Sequence, residues 1–69
     1  MTEIRAPLQA QIVQWHVAPG DPVKAGDLLV IVEAVKMEQQ LRASHAGRVT
    51  ALFFKNVEWV TEGDALLNI

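Results

Sequence analysis

The residue with the clearest potential for chemistry is Lys36, which lies in the segment Glu33–Glu38. The neutral amine of a lysine is a nucleophile that forms amides, and its flexible four-carbon stem can carry an attached group on a mobile arm. The chain has no cluster of cysteines and histidines that would predict a metal site. The remaining candidates are interpreted as structural: His16 and His45 as surface or half-buried residues, Trp15 and Trp59 as packing residues, and Asp27 and Asp64 as turn caps.

The position of Lys36 is informative because it lies at the junction of two weakly matching copies of one segment. Shifting the chain by 37 positions aligns identical residues without a gap. The identical pairs are Arg5 and Arg42, Ala6 and Ala43, Val23 and Val60, Gly26 and Gly63, Asp27 and Asp64, and Leu29 and Leu66. An internal repeat has to be recognised first, because an interpretation that misses it assigns the wrong fold to the whole chain. A lysine at the centre of a duplicated small domain is best explained as the attachment site of a prosthetic group.

The size and composition of the chain predict one small domain, residues 1–69, that carries or binds rather than catalyses. A chain of this size has little room for an enclosed active-site pocket. A formal net charge of −2 with both signs scattered argues against a nucleic-acid partner. The lack of a long apolar run and of an apolar N-terminal stretch argues against a membrane span and a signal peptide. We therefore expect a cytoplasmic protein.

Short apolar stretches separated by turn residues predict an all-β fold with about four strands in each half. The predicted strands are Gln11–Val17, Leu28–Val32, Arg48–Phe54 and Ala65–Ile69, with shorter ones near Ile4–Ala6, Val23, Gln39–Ala43 and Val60. We expect two four-stranded antiparallel sheets, built from interleaved halves, that each bury one face. The predicted core consists of Ile12, Trp15, Val17, Val23, Leu29, Val32, Val49, Leu52, Phe54, Val60, Leu66 and Ile69. The spacing of Ile12, Trp15 and Val17 departs from strict alternation and predicts a β-bulge or a bend in this strand.

The junction between the two halves predicts a hairpin. Leu28–Glu33 must reverse direction into Glu38–Ala43, which places Lys36 near the tip. If a dyad relates the halves, this tip lies opposite the chain termini, and the amine of Lys36 projects into solvent. A two-residue tip usually requires a positive φ, which is unfavourable for a β-branched residue, so we predict a strained backbone if Val35 occupies such a position.

These features resemble a biotinyl domain, the carrier module of biotin-dependent carboxylases and decarboxylases, over essentially the whole chain. That family carries biotin on the lysine of a Glu-Ala-Met-Lys-Met hairpin, and this chain has Glu33-Ala34-Val35-Lys36-Met37. The flanking segments Gly20–Leu29 and Leu41–Val49 are also similar to those of the family. The departures from the family pattern are Val35 for a usual methionine, Ala10 for a usual glycine and Ser44 for a usual proline.

The resemblance implies a flattened barrel-sandwich with an internal pseudo-twofold repeat and biotin bound covalently to Lys36. The implied ligase-recognition hairpin consists of Glu33, Ala34, Val35, Met37 and Glu38. It also implies three partners: a biotin protein ligase, a biotin carboxylase and a carboxyltransferase, as in an acyl-CoA carboxylase. The biotin would shuttle carboxylate between the last two as a swinging arm, and the domain itself would perform no catalysis.

Two other functions stay open at this point. A lipoyl carrier domain shares the same duplicated architecture and also modifies a hairpin lysine, although lipoyl domains usually have Asp-Lys-Ala at the tip. An unmodified adaptor could use the same fold for assembly alone. The segment Val35-Lys36-Met37 favours biotin over lipoate, and a lysine in this place argues against the adaptor.

Overall fold

The computed structural model describes residues 3–69, which form nine β-strands and no helix. The strands are β1 (Glu3–Arg5), β2 (Ala10–Trp15), β3 (Pro22–Val23), β4 (Leu28–Ala34), β5 (Met37–Arg42), β6 (Gly47–Arg48), β7 (Ala51–Leu52), β8 (Trp59–Val60) and β9 (Ala65–Asn68). The predicted all-β class is confirmed. Of the predicted domain 1–69, Met1 and Thr2 lie outside the described residues. Nothing within residues 3–69 forms a helix long and apolar enough to cross a membrane.

The strands pair in antiparallel fashion to form a four-stranded sheet (β5-β4-β2-β8), a three-stranded sheet (β1-β9-β7) and the pair β3-β6. The prediction of two four-stranded sheets is therefore wrong in its strand count. The predicted strand Arg48–Phe54 divides because Arg48 pairs with Pro22, whereas Ala51 pairs with Asn68 in a different sheet. Pro22 has no N–H to donate, so the β3-β6 ladder stays short.

The predicted β-bulge is present in β2. Ile12 pairs with Val32 and Gln14 pairs with Ile31, so one extra residue, Val13, lies between two consecutive pairs. An unpaired residue of this kind interrupts the alternation of the strand and turns a side chain outward. The side chain of Val13 is accordingly 38% exposed.

The buried apolar side chains form one cluster. Eight predicted core residues are buried: Ile12, Val23, Leu29, Val32, Val49, Val60, Leu66 and Ile69. Four others, Trp15, Val17, Leu52 and Phe54, are half-buried against this cluster. The unpredicted members are Ala6, Ala10, Val30, Ala43 and Leu67. Val30 follows the buried Leu29 because the register of β4 against β5 shifts between Leu28 and Val30, which breaks the two-residue period.

Two turns 37 residues apart are closed by matching hydrogen bonds between the halves of the sequence. The N–H of Gly26 donates to the carbonyl of Ala43 over 2.8 Å, and the N–H of Gly63 donates to the carbonyl of Ala6 over 2.9 Å. Both glycines have a φ of 91°, a region that glycine adopts without steric penalty. Each turn is therefore held by a segment from the other half of the sequence.

The same two turns confirm the structural interpretation of the aspartates. A carboxylate oxygen of Asp27 accepts a hydrogen bond of 2.8 Å from the N–H of Lys24. Asp64 accepts the equivalent bond of 2.8 Å from the N–H of Thr61. Side chains of this type stabilise turns by satisfying backbone donors. Both carboxylates act as turn caps.

Candidate modification site at the hairpin between β4 and β5

The hairpin predicted from the sequence is present, and Lys36 lies at its tip. Ala34 and Met37 form the last pair of the β4-β5 ladder, so Val35 and Lys36 alone make the connection. Their φ angles are 50° and 63°. Positive φ at both central residues is typical of a type I′ turn, whose twist matches that of the flanking strands. The ladder on either side thus holds Lys36 on a short, well-defined turn.

The surroundings of Lys36 suit a reaction at its amine. The side chain is exposed, and it makes no ion pair or hydrogen bond with another residue in the described part of the chain. An exposed amine without a partner can enter an external active site at no cost in lost contacts. Within residues 3–69 no group of three or more His, Cys, Asp or Glu side chains could hold a metal ion.

The apolar neighbours of Lys36 do not pack against the core. Val35 is 94% exposed and Met37 is 69% exposed. The predicted positive φ of Val35 is confirmed, so a β-branched residue occupies a backbone conformation that strongly disfavours it. Because Met37 is largely solvent-accessible, strand packing does not explain its side chain.

Two carboxylates face each other directly below the tip. Glu33 and Glu38 form the second cross-strand pair from the turn, and both side chains are exposed. Directly opposed side chains on adjacent antiparallel strands point to the same face, and like charges in this position repel. Neither carboxylate makes an ion pair with another residue between 3 and 69.

This acidic pair belongs to a row of side chains that crosses the four-stranded sheet. Glu38 pairs with Glu33, Glu33 with Gln11, and Gln11 with Trp59. We call Glu38, Glu33, Gln11 and Trp59 the outer row, since their strand neighbours Ile12, Val32 and Val60 point inward and are buried. A groove of about 240 Å³ runs beside it and is lined by Gln11, Ile12, Val13, Glu33, Glu38 and Val57.

The outer row corrects the interpretation of Trp59. Its side chain is 63% exposed, so it is not a packing residue as predicted. The strand β8 is only two residues long, and the buried Val60 leaves Trp59 on the solvent face. The alternation between Trp59 and Val60 was the available sequence signal for this orientation.

The other aromatic and imidazole side chains behave as predicted. Trp15 is half-buried, and its indole N–H donates to the carbonyl of Phe54 over 2.9 Å. His16 is exposed. His45 is half-buried, and its Nδ1 lies 3.1 Å from the hydroxyl of Ser44. None of these side chains belongs to the hairpin.

Known sequences resemble this chain over almost its whole length. The chain is 38% identical over 66 residues to the biotin-dependent acyl-coenzyme A carboxylase alpha3 subunit of Mycobacterium leprae. The aligned region covers 96% of this chain and 11% of that protein. It is 34% identical over 68 residues to pyruvate carboxylase of Aspergillus terreus, and this aligned region covers 99% of this chain and 6% of that protein. The chain thus spans only a small part of these relatives.

Solved structures share the fold. A single-chain, multi-domain long-chain acyl-CoA carboxylase superimposes with a TM-score of 0.91 and 33% identity over 96% of this chain and 6% of that one. The lipoyl domain of the 2-oxoglutarate dehydrogenase complex from Azotobacter vinelandii superimposes with a TM-score of 0.83 and 25% identity over 97% of this chain and 95% of that domain. The model of the biotin and lipoyl attachment family, described as "biotin-requiring enzyme", matches residues 2–69, and the chain belongs to this family.

Proposed function

We propose that this chain is a biotin carboxyl carrier domain with biotin attached to Lys36. The observation that carries this proposal is the two-residue tip, which presents an exposed, unpartnered lysine amine in a chain of the biotin-requiring family. The resemblance to carboxylases over almost the whole chain supports it. The surrounding residues Glu33, Ala34, Val35, Met37 and Glu38 form the surface that a biotin protein ligase recognises.

Attachment requires the neutral amine of Lys36 as a nucleophile. The Nζ lone pair would attack the carbonyl carbon of a biotinyl group that the ligase presents in activated form. A C–N bond would form, the bond from the carbonyl carbon to the activating group would break with departure of that group, and a proton from the amine would pass to solvent. Because the product is an amide, the positive charge of the lysine is lost.

In the carrier cycle, the protein contributes position rather than catalysis. Lys36 would hold the biotin, whose ring nitrogen would supply the chemistry for carrying carboxylate from a biotin carboxylase site to a carboxyltransferase site. The hairpin holds the attachment point, and the lysine stem adds reach and mobility. A tether of this kind keeps the reactive group at an effective concentration on the order of millimolar near both sites.

A second proposal concerns the finer architecture. We propose that residues 1–69 are a single domain and that its described part, residues 3–69, is a barrel-sandwich whose halves are related by a pseudo-twofold axis. The matching hydrogen bonds at Gly26 and Gly63, from opposite halves, support this symmetry. It would place the hairpin at the end of the domain opposite the termini, so a linker would not obstruct the swinging arm.

A lipoyl carrier is the second candidate function. The lipoyl domain from Azotobacter vinelandii matches this chain along 95% of its own length, so the fold alone fits both groups. The tip residues Val35 and Met37 favour biotin, since lipoyl domains usually have Asp-Lys-Ala there. An unmodified adaptor would need no exposed lysine at the tip.

Intact mass after co-expression with a biotin protein ligase tests the proposal. The expected result is the mass of one biotinyl group added to the wild-type chain and a positive streptavidin blot. Lys36→Arg should abolish both signals, while the matched control Lys55→Arg, at another exposed lysine, should retain them. A lipoyl mass shift, or no shift in the wild-type chain, would refute the biotin assignment.

A further inference from the structure

The geometry points to a docking surface for the biotin ligase that extends beyond the hairpin, across the outer row to Trp59. This inference rests on the proposed function. The surface consists of the outer row together with Val13 and Val57. The partner it fits has an apolar pocket for the indole of Trp59 and cationic side chains opposite the Glu33–Glu38 pair.

The apolar part of this surface is exposed without a structural reason. Trp59 is 63% exposed and Val57 is 65% exposed, and Val13 reaches solvent through the bulge in β2. Val13 and Val57 line the same groove as Glu33 and Glu38. Gln11 connects the parts, since it pairs with Trp59 and its side-chain amide donates to the carbonyl of Val57 over 3.0 Å. Tryptophan is one of the residue types that are enriched among the few interface residues that contribute most of the binding energy.

The charges specify the chemistry of the partner. Glu33 and Glu38 repel each other across the ladder, and no described residue neutralises them. A cationic side chain of a partner placed between them would relieve this repulsion and orient the encounter. The acidic pair at one end of the row and the indole at the other therefore fit a partner surface with basic side chains opposite the hairpin and an apolar pocket opposite Trp59.

The reach of Lys36 indicates which partner covers this surface. The ligase must act on the lysine amine itself, which lies only one four-carbon stem from the hairpin backbone. Its body must therefore approach the strands next to the tip, where Glu33 and Glu38 form the second pair from the turn. The enzymes that carboxylate and use biotin act at the end of a longer arm and can stay farther from these strands.

Steady-state biotinylation kinetics test the inference on the whole chain. Trp59→Gln should raise the KM of a purified biotin protein ligase for the carrier about tenfold with kcat nearly unchanged, because the indole contributes to docking and does not touch the reacting amine. The matched control is Phe53→Gln, which removes another aromatic side chain, 47% exposed, that follows β7 outside the four-stranded sheet. It should leave KM unchanged.

A charge variant gives an independent measurement. Glu33→Gln/Glu38→Gln should lower kcat/KM at low salt and flatten its dependence on salt, since screening weakens exposed charge pairs. Thermal unfolding of every variant verifies that the fold is intact.

Three outcomes would overturn the inference. Equal KM values for the wild type and Trp59→Gln would show that the ligase does not touch the patch. Equal losses for Trp59→Gln and Phe53→Gln would show a nonspecific effect. If the wild-type chain is a dimer that Trp59→Gln dissociates while KM stays unchanged, the surface is an interface between two copies of this chain. A wild-type chain that the ligase leaves unmodified would instead refute the proposed function, and this inference with it.

Discussion

Val57 adopts the left-handed backbone conformation that Gly20 adopts 37 residues earlier. The φ angles are 73° for Val57 and 95° for Gly20. Each residue is held from the other half of the sequence: the N–H of Gly20 donates to the carbonyl of Val49 over 2.7 Å, and that of Val57 to the carbonyl of Ile12 over 2.8 Å. The hydrogen bonds thus impose on a β-branched residue a turn geometry that favours glycine.

Val57→Gly should therefore stabilise the protein. A left-handed conformation disfavours an L-residue by about 1–2 kcal/mol. Glycine has greater conformational entropy in the unfolded chain, which offsets part of the relieved backbone penalty. We expect the free energy of unfolding to rise by about 0.5–1 kcal/mol. Val57 is 65% exposed, so little buried area is lost. Urea denaturation measures the change in the free energy of unfolding.

The matched control for this prediction is the reverse substitution. A Cβ at Gly20 would meet no atom within 4 Å, so Gly20→Val tests the backbone penalty without a steric clash. It should destabilise the protein by about 1 kcal/mol or more. Equal denaturation midpoints for both variants and the wild type would show that valine carries no backbone penalty at either position.

Val35→Met should raise the free energy of unfolding by about 0.5 kcal/mol, because an unbranched side chain is less restricted at positive φ. Val35→Thr keeps the β-branch and should give no gain. Once biotinylated, Val35→Met should change the rate of carboxyl transfer more than the rate of ligation, since transfer requires the tip to fit two further active sites. Unchanged melting temperatures together with unchanged transfer rates would contradict this prediction.

Gly47→Ala should destabilise the protein by about 1–3 kcal/mol. A Cβ at Gly47 would lie 2.5 Å from the Cγ2 atom of Ile69, a side chain that is only 7% exposed. The clash disappears when Ile69 is also truncated. In a double-mutant cycle, the loss of unfolding free energy in Gly47→Ala/Ile69→Ala should therefore be about 1 kcal/mol smaller than the sum of the losses in the two single variants. Additive losses would exclude this contact as the cause.

The two tryptophans should respond differently to substitution by phenylalanine. Trp15→Phe removes the donor to the carbonyl of Phe54 in a half-buried position and should cost about 1–2 kcal/mol. Trp59→Phe, at an exposed site without such a bond, should stay within about 0.5 kcal/mol of the wild type. Thermal unfolding of both variants distinguishes the sites, and equal losses would be inconsistent with the structure.

The candidate site was predictable from the sequence because it is local. The strands that flank Lys36 pair with each other, and only two residues connect them, so their alternation and their proximity along the chain are enough to place the lysine at the tip. The strain at Val35 follows from the same short connection. The bulge in β2 was also predictable, since it disturbs the apolar spacing of a single strand.

The outer row and the strained turn at Val57 were decided by the tertiary structure. The position of Trp59 in the outer row depends on its pairing with Gln11, and the conformation of Val57 depends on a hydrogen bond to Ile12. Both partners lie in the other half of the sequence, and no local propensity encodes such a pairing. The sequence by itself determined the hairpin and its lysine, because these depend on adjacent residues. The surface around them was determined only when the two halves packed together.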